Sequence, residues 1–563
     1  MYRLGCVRRP PQLAAAMMLF LAPHGGLAQS DNDGIPDEWK TKGVTFTWPD
    51  GHSKHIDLAS RGVQRGRKTI IVWVDWMEGN GHTHRPVRSG DLRPSPTSSP
   101  SPSPLERKPL DRIRTAFLQS GVDNGAGVTL AIIWADEMTW DDKPFQPIPE
   151  QTDLGDSSVG PDNQLHYDWT AFDQIRAERT GNLSSFFGKG FHYAAFIHRM
   201  RGLSNTGLSN GIPGDEFLVS LGVLTDGVGS ADDQSGTFMH ELGHNLGLNH
   251  GGFEDRGYKP NYISVMNYMF QRVGVANLGI YGHFDYSHTA LADLDESKLS
   301  VRDGISSSAN LASYGTAHVC TSTPPQPLPT CTDSAAPLSY TVNSYGLIVG
   351  LNCPVDWQCA QADPTINPCP LPATLPAATI SADVNGDGCV GVLKGYDDWS
   401  NLHYWSPPQL SAGVTARREL LPRQELDGNT PTLLTAMTVD RVNATPSARG
   451  VLVSWSRIPL QRVVGYELLR QSPSGRVSIV RRTKSNRFLD TSASAGVPYV
   501  YSVRPVIAAS SAEEAKVLVG EVKDGVATAA TLLKMRSAKL NLLPEGSELV
   551  RGLSKRAPAV TIQ

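Results

Sequence analysis

Three histidines and a glutamate lie close together in His240-Glu241-Leu242-Gly243-His244-Asn245-Leu246-Gly247-Leu248-Asn249-His250, with the types and spacing of a metal centre that carries its own base. Residues four apart share one face of a helix, so His240 and His244 present their imidazoles side by side to one ion. Glu241 lies about 100° around the helix from His240, where a carboxylate can reach a metal-bound water without being a ligand. Gly247 can take the left-handed conformation that ends a helix, and the turn lets His250 swing back as a third ligand. Three neutral imidazoles leave the fourth tetrahedral position open to water, as in catalytic zinc. Structural sites usually close all four positions, often with cysteine, and no cysteine lies near this segment. The chemistry on offer is hydrolysis, with Glu241 as general base.

A second motif follows at Ser264-Val265-Met266-Asn267-Tyr268. The pattern H-E-x-x-H-x-x-G-x-x-H with a methionine turn downstream resembles the metzincin clan of zinc peptidases. The resemblance covers about residues 68–290, strongly at 240–268 and by element order elsewhere. It implies an α/β (α+β) catalytic domain with a mixed sheet and an active-site helix. It also implies zinc on His240, His244 and His250, and a secreted endopeptidase acting on a protein or peptide substrate. Met266 would then be a hydrophobic floor beneath the metal. Tyr268 inherits the zinc-contacting or oxyanion-stabilising role seen in the astacin-like and serralysin-like branches, or else is simply packed under the turn. Gly251, directly after the third histidine, does not match the residue expected of astacins or reprolysins, so no family within the clan is chosen. The competing reading is a secreted, calcium-dependent binding or adhesion protein with an inactive peptidase-like domain. Glu241 discriminates, because degenerate domains often lose the base.

The elements that must position this site are legible from hydrophobic patterning. Residues 69–76, 128–134 and 192–197 read as buried strands, and 110–118 and 169–179 as helices. A further strand at 216–221 precedes the zinc helix. By the metzincin resemblance, that strand or its neighbours would form the sheet edge and receive the substrate as an added antiparallel strand. The Pro/Ser tract at 93–104 cannot build a core and reads as a solvated insertion.

Two acidic loops suggest calcium: Asp31, Asp33 and Asp37 in the first, and Asp383, Asn385 and Asp387 in the second. Each departs from the full calcium-loop pattern, with Lys40 and Lys394 at the closing positions, and each can equally be an acidic surface turn. The chain has 563 residues and a net charge of −4, which suggests several modules and no nucleic-acid partner. Arg3, Arg8 and Arg9 precede an apolar run at 13–22 and the small residues Gly26-Leu27-Ala28, which reads as a removable export signal over 1–28. No later run is long enough for a transmembrane anchor. Cys320, Cys331, Cys353, Cys359, Cys369 and Cys389 remain as an even set in one stretch, so three disulfides are expected, their pairing unread. The expected organisation is a peptidase-like domain over 29–300, a cysteine-containing region over 301–410, and a module over 432–525, with a tail at 526–563. In that module Trp455, the strand Gly465-Tyr466-Glu467-Leu468 and the late strand Tyr499-Val500-Tyr501 resemble a fibronectin type III β-sandwich.

Overall fold

The computed structural model describes residues 31–86, 109–358, 379–404 and 443–507, apart from interruptions within those ranges, together with short strands at 418–420 and 560–561. The signal expected over 1–28, the Pro/Ser tract at 93–104, Cys353, Cys359, Cys369 and the tail apart from 560–561 lie outside the described residues.

The architecture is mixed α/β and mostly sheet. Helix α1 (Asp37–Lys42) leads into a hairpin of β1 (Val44–Thr47) and β2 (Ser53–Ile56). There follow β3 (Thr69–Gly79), β4 (His82–Thr83), α2 (Pro109–Leu118), β5 (Thr129–Trp134) and β6 (Ile148–Pro149). A hairpin of β7 (Asp156–Val159) and β8 (Leu165–Asp168) then precedes α3 (Thr170–Thr180), β9 (Phe191–Ile197), β10 (Gly207–Ser209), β11 (Glu216–Ser220) and α4 (Ala231–Asn245). Each strand and helix expected upstream of the metal motif is present within a few residues.

The central sheet runs β5-β3-β9-β11-β10. The first four strands are parallel and β10 is antiparallel at the edge. Continuous apolar runs such as Ile70-Ile71-Val72-Trp73-Val74 suit parallel strands buried on both faces. Side chains alternate faces along β9, so Tyr193 and Phe196 point opposite ways. Phe196 stacks on Phe238 of α4 at 6.1 Å, while Tyr193 meets Phe172 of α3 at 5.4 Å. Helices therefore cover both faces of the sheet.

The edge differs in one respect from the expectation. Strand 216–221 is internal as β11, because the chain turns back first and β10 pairs along its outer side. The edge is the neighbouring segment, Gly207–Ser209.

Beyond residue 300 the chain returns to the metal-motif half. Leu294–Asp295 pairs with Val392–Leu393, and Leu299–Ser300 pairs with Thr379–Ile380. Trp399 packs edge-on against Phe117 of α2 at 5.0 Å and against Tyr286. An arm of residues 392–404 thus belongs structurally with the helix it follows by about 150 positions. Cys331 and Cys389 are disulfide-bonded, and Cys320 is also in a disulfide. The C-terminal module contains two antiparallel sheets. One holds Asn443–Ser447, Gly450–Ser454 and Arg487–Asp490; the other holds Val463–Gln471, Val477–Thr483 and Pro498–Ile507, with Val560–Thr561 added at its edge. Val451, Val453, Trp455, Tyr466, Leu468, Tyr501 and Val503 are its buried apolar side chains. Among the described residues, no helix is long and apolar enough to cross a membrane.

Candidate metal centre

Helix α4 begins with a capping box. The Ser230 hydroxyl accepts the Asp233 N–H, and the Asp233 carboxylate accepts the Ser230 N–H, so two otherwise orphaned amides are satisfied. The helix runs antiparallel to β11. Its end is tied to the start of that strand by Asn245, which donates to the Glu216 carbonyl at 3.1 Å and to Ser209 Oγ at 2.6 Å. At the other end, a Cβ on Gly229 would sit 2.6 Å from Leu221, just past the strand.

Two glycines inside α4 let other chain segments come close. A Cβ at Gly236 would lie 1.6 Å from the backbone oxygen of Gln271, and one at Gly243 would lie 2.2 Å from Met266 Sδ. Glycine within a helix costs about 1 kcal/mol relative to alanine, so these contacts explain its use here. Met266 is fully buried against the helix at Gly243. Its turn is closed by Asn267 donating to the Ser264 carbonyl at 3.0 Å. At the helix end, Gly247 has φ +92°. Leu248 donates to the Gly243 carbonyl and Gly247 to the His244 carbonyl, both at 2.9 Å, which is the Schellman pairing of a helix C-terminus. Two residues later the chain delivers His250.

The three imidazoles converge. His240 Nδ1 bonds the Val265 carbonyl at 2.9 Å, and His244 Nδ1 bonds the Leu248 carbonyl at 2.7 Å. A carbonyl only accepts, so in both rings Nδ1 carries the proton and Nε2 presents a lone pair. His250 Nδ1 is held by the Asp255 carboxylate. The Nε2 atoms of His240 and His244 are 3.2 Å apart. A tetrahedral ion with bonds of 2.0–2.1 Å to nitrogen separates its ligands by about 3.3 Å, so the spacing fits. All three ligand atoms lie within 4.8 Å of one another and all three side chains are buried. The triad can hold a metal ion.

Around it stand the two other expected residues. Tyr268 packs on His250 with the rings tilted and their centroids 4.3 Å apart, and brings its hydroxyl to 2.9 Å from His250 Nε2. Its polar end therefore reaches the position where the ligands meet. Glu241 is fully buried and faces the edge strand, since a Cβ on Gly207 would lie 2.4 Å from Glu241 Oε1. Only a glycine in β10 lets the carboxylate lie against the strand backbone.

Several contributors escape a reading of the linear sequence. Asp255, Gly243, Gly207 and Asn245 act through contacts that no motif in the linear sequence displays. So does Asp398 of the arm, fully buried, which accepts from Tyr262 Oη at 2.7 Å and from Ser287 N at 3.1 Å and is also hydrogen-bonded to Ser264 at the methionine turn. Burial pushes this carboxyl up to about 6, against the hydrogen bonds that lower it. The native state therefore holds the proton that the unfolded chain, with a pKa near 3.8, gives up first. The stability Asp398 contributes is present below about pH 4 and is lost as pH rises through about 6. We expect the wild type to lose stability relative to Asp398→Asn over that window, read as the difference between their thermal midpoints. A wild-type midpoint that rises relative to that of Asp398→Asn between about pH 4 and 6 would refute the assignment.

The acidic loops resolve differently. Lys40, fully buried, places Nζ 2.6 Å from Asp31 Oδ2 and 2.5 Å from Asp33 Oδ2, and Asp37 pairs with Arg65 at 3.3 Å. An ammonium thus occupies the position expected for calcium in the first loop, and it comes from the residue that breaks the calcium pattern in the sequence. In the second loop Asp383 accepts backbone N–H groups from Gly386, Asp387 and Gly388, and Asn385 donates to Asp387 at 3.0 Å. Buried Glu296, from outside the loop, accepts from Val384 at 2.8 Å and Gly391 at 2.9 Å. Burial, with Asp387 and Asp383 nearby, holds that carboxyl well above the usual carboxylate range.

No protein-family model matches this sequence, and no characterised protein matches it in a sequence search.

Proposed function

We propose that the chain is a metal-dependent hydrolase. More particularly, it is a zinc endopeptidase of the metzincin type that cleaves extended peptide segments. The observation that carries this reading is the juxtaposition of Glu241 with both the histidine triad and Gly207 of the edge strand. A carboxylate held against the outermost described strand of the sheet is placed to act on a peptide laid along that strand.

Three histidines, with no fourth His, Cys, Asp or Glu ligand grouped with them among the described residues, suit zinc in a catalytic role. When bound, the ion supplies Lewis acidity and acidifies its water. The rest falls to the chain. The Nδ1 partners Val265, Leu248 and Asp255 fix the three rings. An extended peptide hydrogen-bonds to β10 in the manner of an added strand, which sets its scissile carbonyl beside Glu241 and selects backbone over side-chain identity. Glu241 takes a proton from the attacking water at its carboxylate and returns it to the leaving amine. The Tyr268 hydroxyl donates to the oxygen of the tetrahedral intermediate.

Hydrolysis of denatured casein by the purified chain, abolished by a chelator and restored by zinc, tests the class of reaction. Cleavage of small esters with no cleavage of peptides would point to another hydrolase. Tyr268→Phe separates the oxyanion role from packing. We expect kcat to fall about 100-fold, with bound metal and KM little changed, since the loss of one such donor typically has that size. An unaltered kcat would leave Tyr268 with packing alone.

A further inference from the structure

The C-terminal ends of β3, β6 and β9 meet at a second group of metal-ligand side chains. His82 and His84 stand on the hairpin after β3, Glu150 directly follows β6, and His198 directly follows β9. Their convergence is imposed by strand pairing. β6 pairs with the last residues of β3, as Met77↔Ile148 and Glu78↔Pro149, and β9 lies parallel to β3. His84 N donates to the Met77 carbonyl at 2.9 Å, which folds the hairpin back along the strand.

The geometry is that of a closed tetrahedron. His82 Nε2, His84 Nε2 and His198 Nδ1 lie 3.0, 3.5 and 3.4 Å from the same oxygen, Glu150 Oε1, and His198 Nδ1 lies 3.2 Å from His84 Nε2. Ligands bonded at 2.0–2.1 Å around one tetrahedral ion are separated by about 3.3 Å, so each of these distances is close to the value an ion requires. The four ligand atoms lie within 4.8 Å of one another. The three rings meet edge to face, at 4.9, 5.5 and 5.2 Å between centroids.

The electrostatics also call for a cation. The Glu150 side chain is only 4% exposed, its Oε2 is buried without a hydrogen-bond partner, and among the described residues its ion-pair contacts are these histidines and no lysine or arginine. A buried carboxylate with no lysine or arginine against it among the described residues is costly, and a divalent ion among these ligands removes the cost. The surroundings are built to admit it. A Cβ on Gly79 would lie 2.6 Å from Glu150 Cβ, and one on Gly222 would lie 2.2 Å from the His198 carbonyl oxygen, so glycines let both ligands approach.

We propose that His82, His84, Glu150 and His198 form a second metal site, structural in character, for a divalent transition ion whose ligand set suits zinc. Four protein ligands leave no open position for water, in contrast to the triad at α4. The ion fastens the loops that follow three strands of the sheet. The two sites are separate: Asn245 ties the end of α4 to the start of β11, which is parallel to β9, whereas the second group stands beyond the strands' C-terminal ends. The proposal is independent of the peptidase reading.

Zinc titration of the chelator-treated full chain, with metal counted by mass spectrometry and binding by calorimetry, tests it. The wild type is expected to bind two equivalents, His240→Ala/His244→Ala one, and His82→Asn/His198→Asn one. Zinc should raise the thermal midpoint of His240→Ala/His244→Ala and of the wild type. His82 and His198 are partly exposed, so their replacement spares the core. Glu150→Gln, nearly isosteric, provides a second variant and should also lose one equivalent. A His240→Ala/His244→Ala variant that binds none overturns the proposal. So does His82→Asn/His198→Asn retaining two.

Discussion

Glu241→Ala is expected to lower kcat for casein cleavage about 1,000-fold while leaving the metal content unchanged. The magnitude follows from the part a positioned carboxylate plays, since general acid–base catalysis typically contributes 10²- to 10⁴-fold and Glu241 is assigned both proton transfers. The metal should stay because the ligand nitrogens belong to His240, His244 and His250, whose rings are oriented by Val265, Leu248 and Asp255 and not by Glu241. The thermal midpoint of the same preparation separates lost chemistry from lost folding. Turnover and zinc content measured on the same preparation decide the matter. Undiminished cleavage by Glu241→Ala would remove the general base, and with it the peptidase reading. Loss of both metal and activity would recast Glu241 as a support of the site.

Removing the ion should have an effect at least as large. Dialysis against a chelator, or His244→Ala, is expected to cut activity by more than about 1,000-fold. Lewis-acid stabilisation is worth several kcal/mol, and each 1.4 kcal/mol or so is a factor of ten. The two treatments should part on readdition: zinc restores the chelated wild type but not His244→Ala. His244 is the middle ligand of the three, packed against His240 at 4.7 Å and His250 at 4.8 Å between ring centroids, so its loss leaves two ligands that no longer enclose an ion. Activity that survives chelation with metal demonstrably absent would exclude a metal-dependent mechanism. The second site makes metal counting essential, because one equivalent can persist at His82, His84, Glu150 and His198 while activity is gone.

Much of this protein is legible along the chain because the information is local. His240, Glu241 and His244 share a helical period, and Gly247 and His250 follow within the reach of one turn. Helix geometry alone therefore brings the triad together, and the buried strands announce themselves as apolar runs. Ser264-Val265-Met266-Asn267-Tyr268 is also a local turn, although its seat on Gly243 is a tertiary contact.

Other features depend on partners far apart in sequence. The Lys40 ammonium between Asp31 and Asp33 turns an apparent calcium loop into an internal ion pair, because a lysine nine positions from Asp31 folds back through α1. Hydrophobicity marks β11 strongly, whereas its neighbour β10, at the edge, is three residues long and its sequence, Gly207-Leu208-Ser209, has no pattern of its own. The arm at 392–404 lies beyond the cysteine-containing stretch, yet Asp398 and Trp399 complete the packing beneath the methionine turn.

The sequence by itself determined the histidine triad, the glutamate beside it and the alternation of strands and helices, because spacing along regular elements converts directly into position. Tertiary structure alone decided which strand forms the edge, that Gly207 brings that edge against Glu241, and that His82, His84, Glu150 and His198 meet at one point. Those facts depend on which strands pair and in what register, and pairing is set by long-range burial that no local period records.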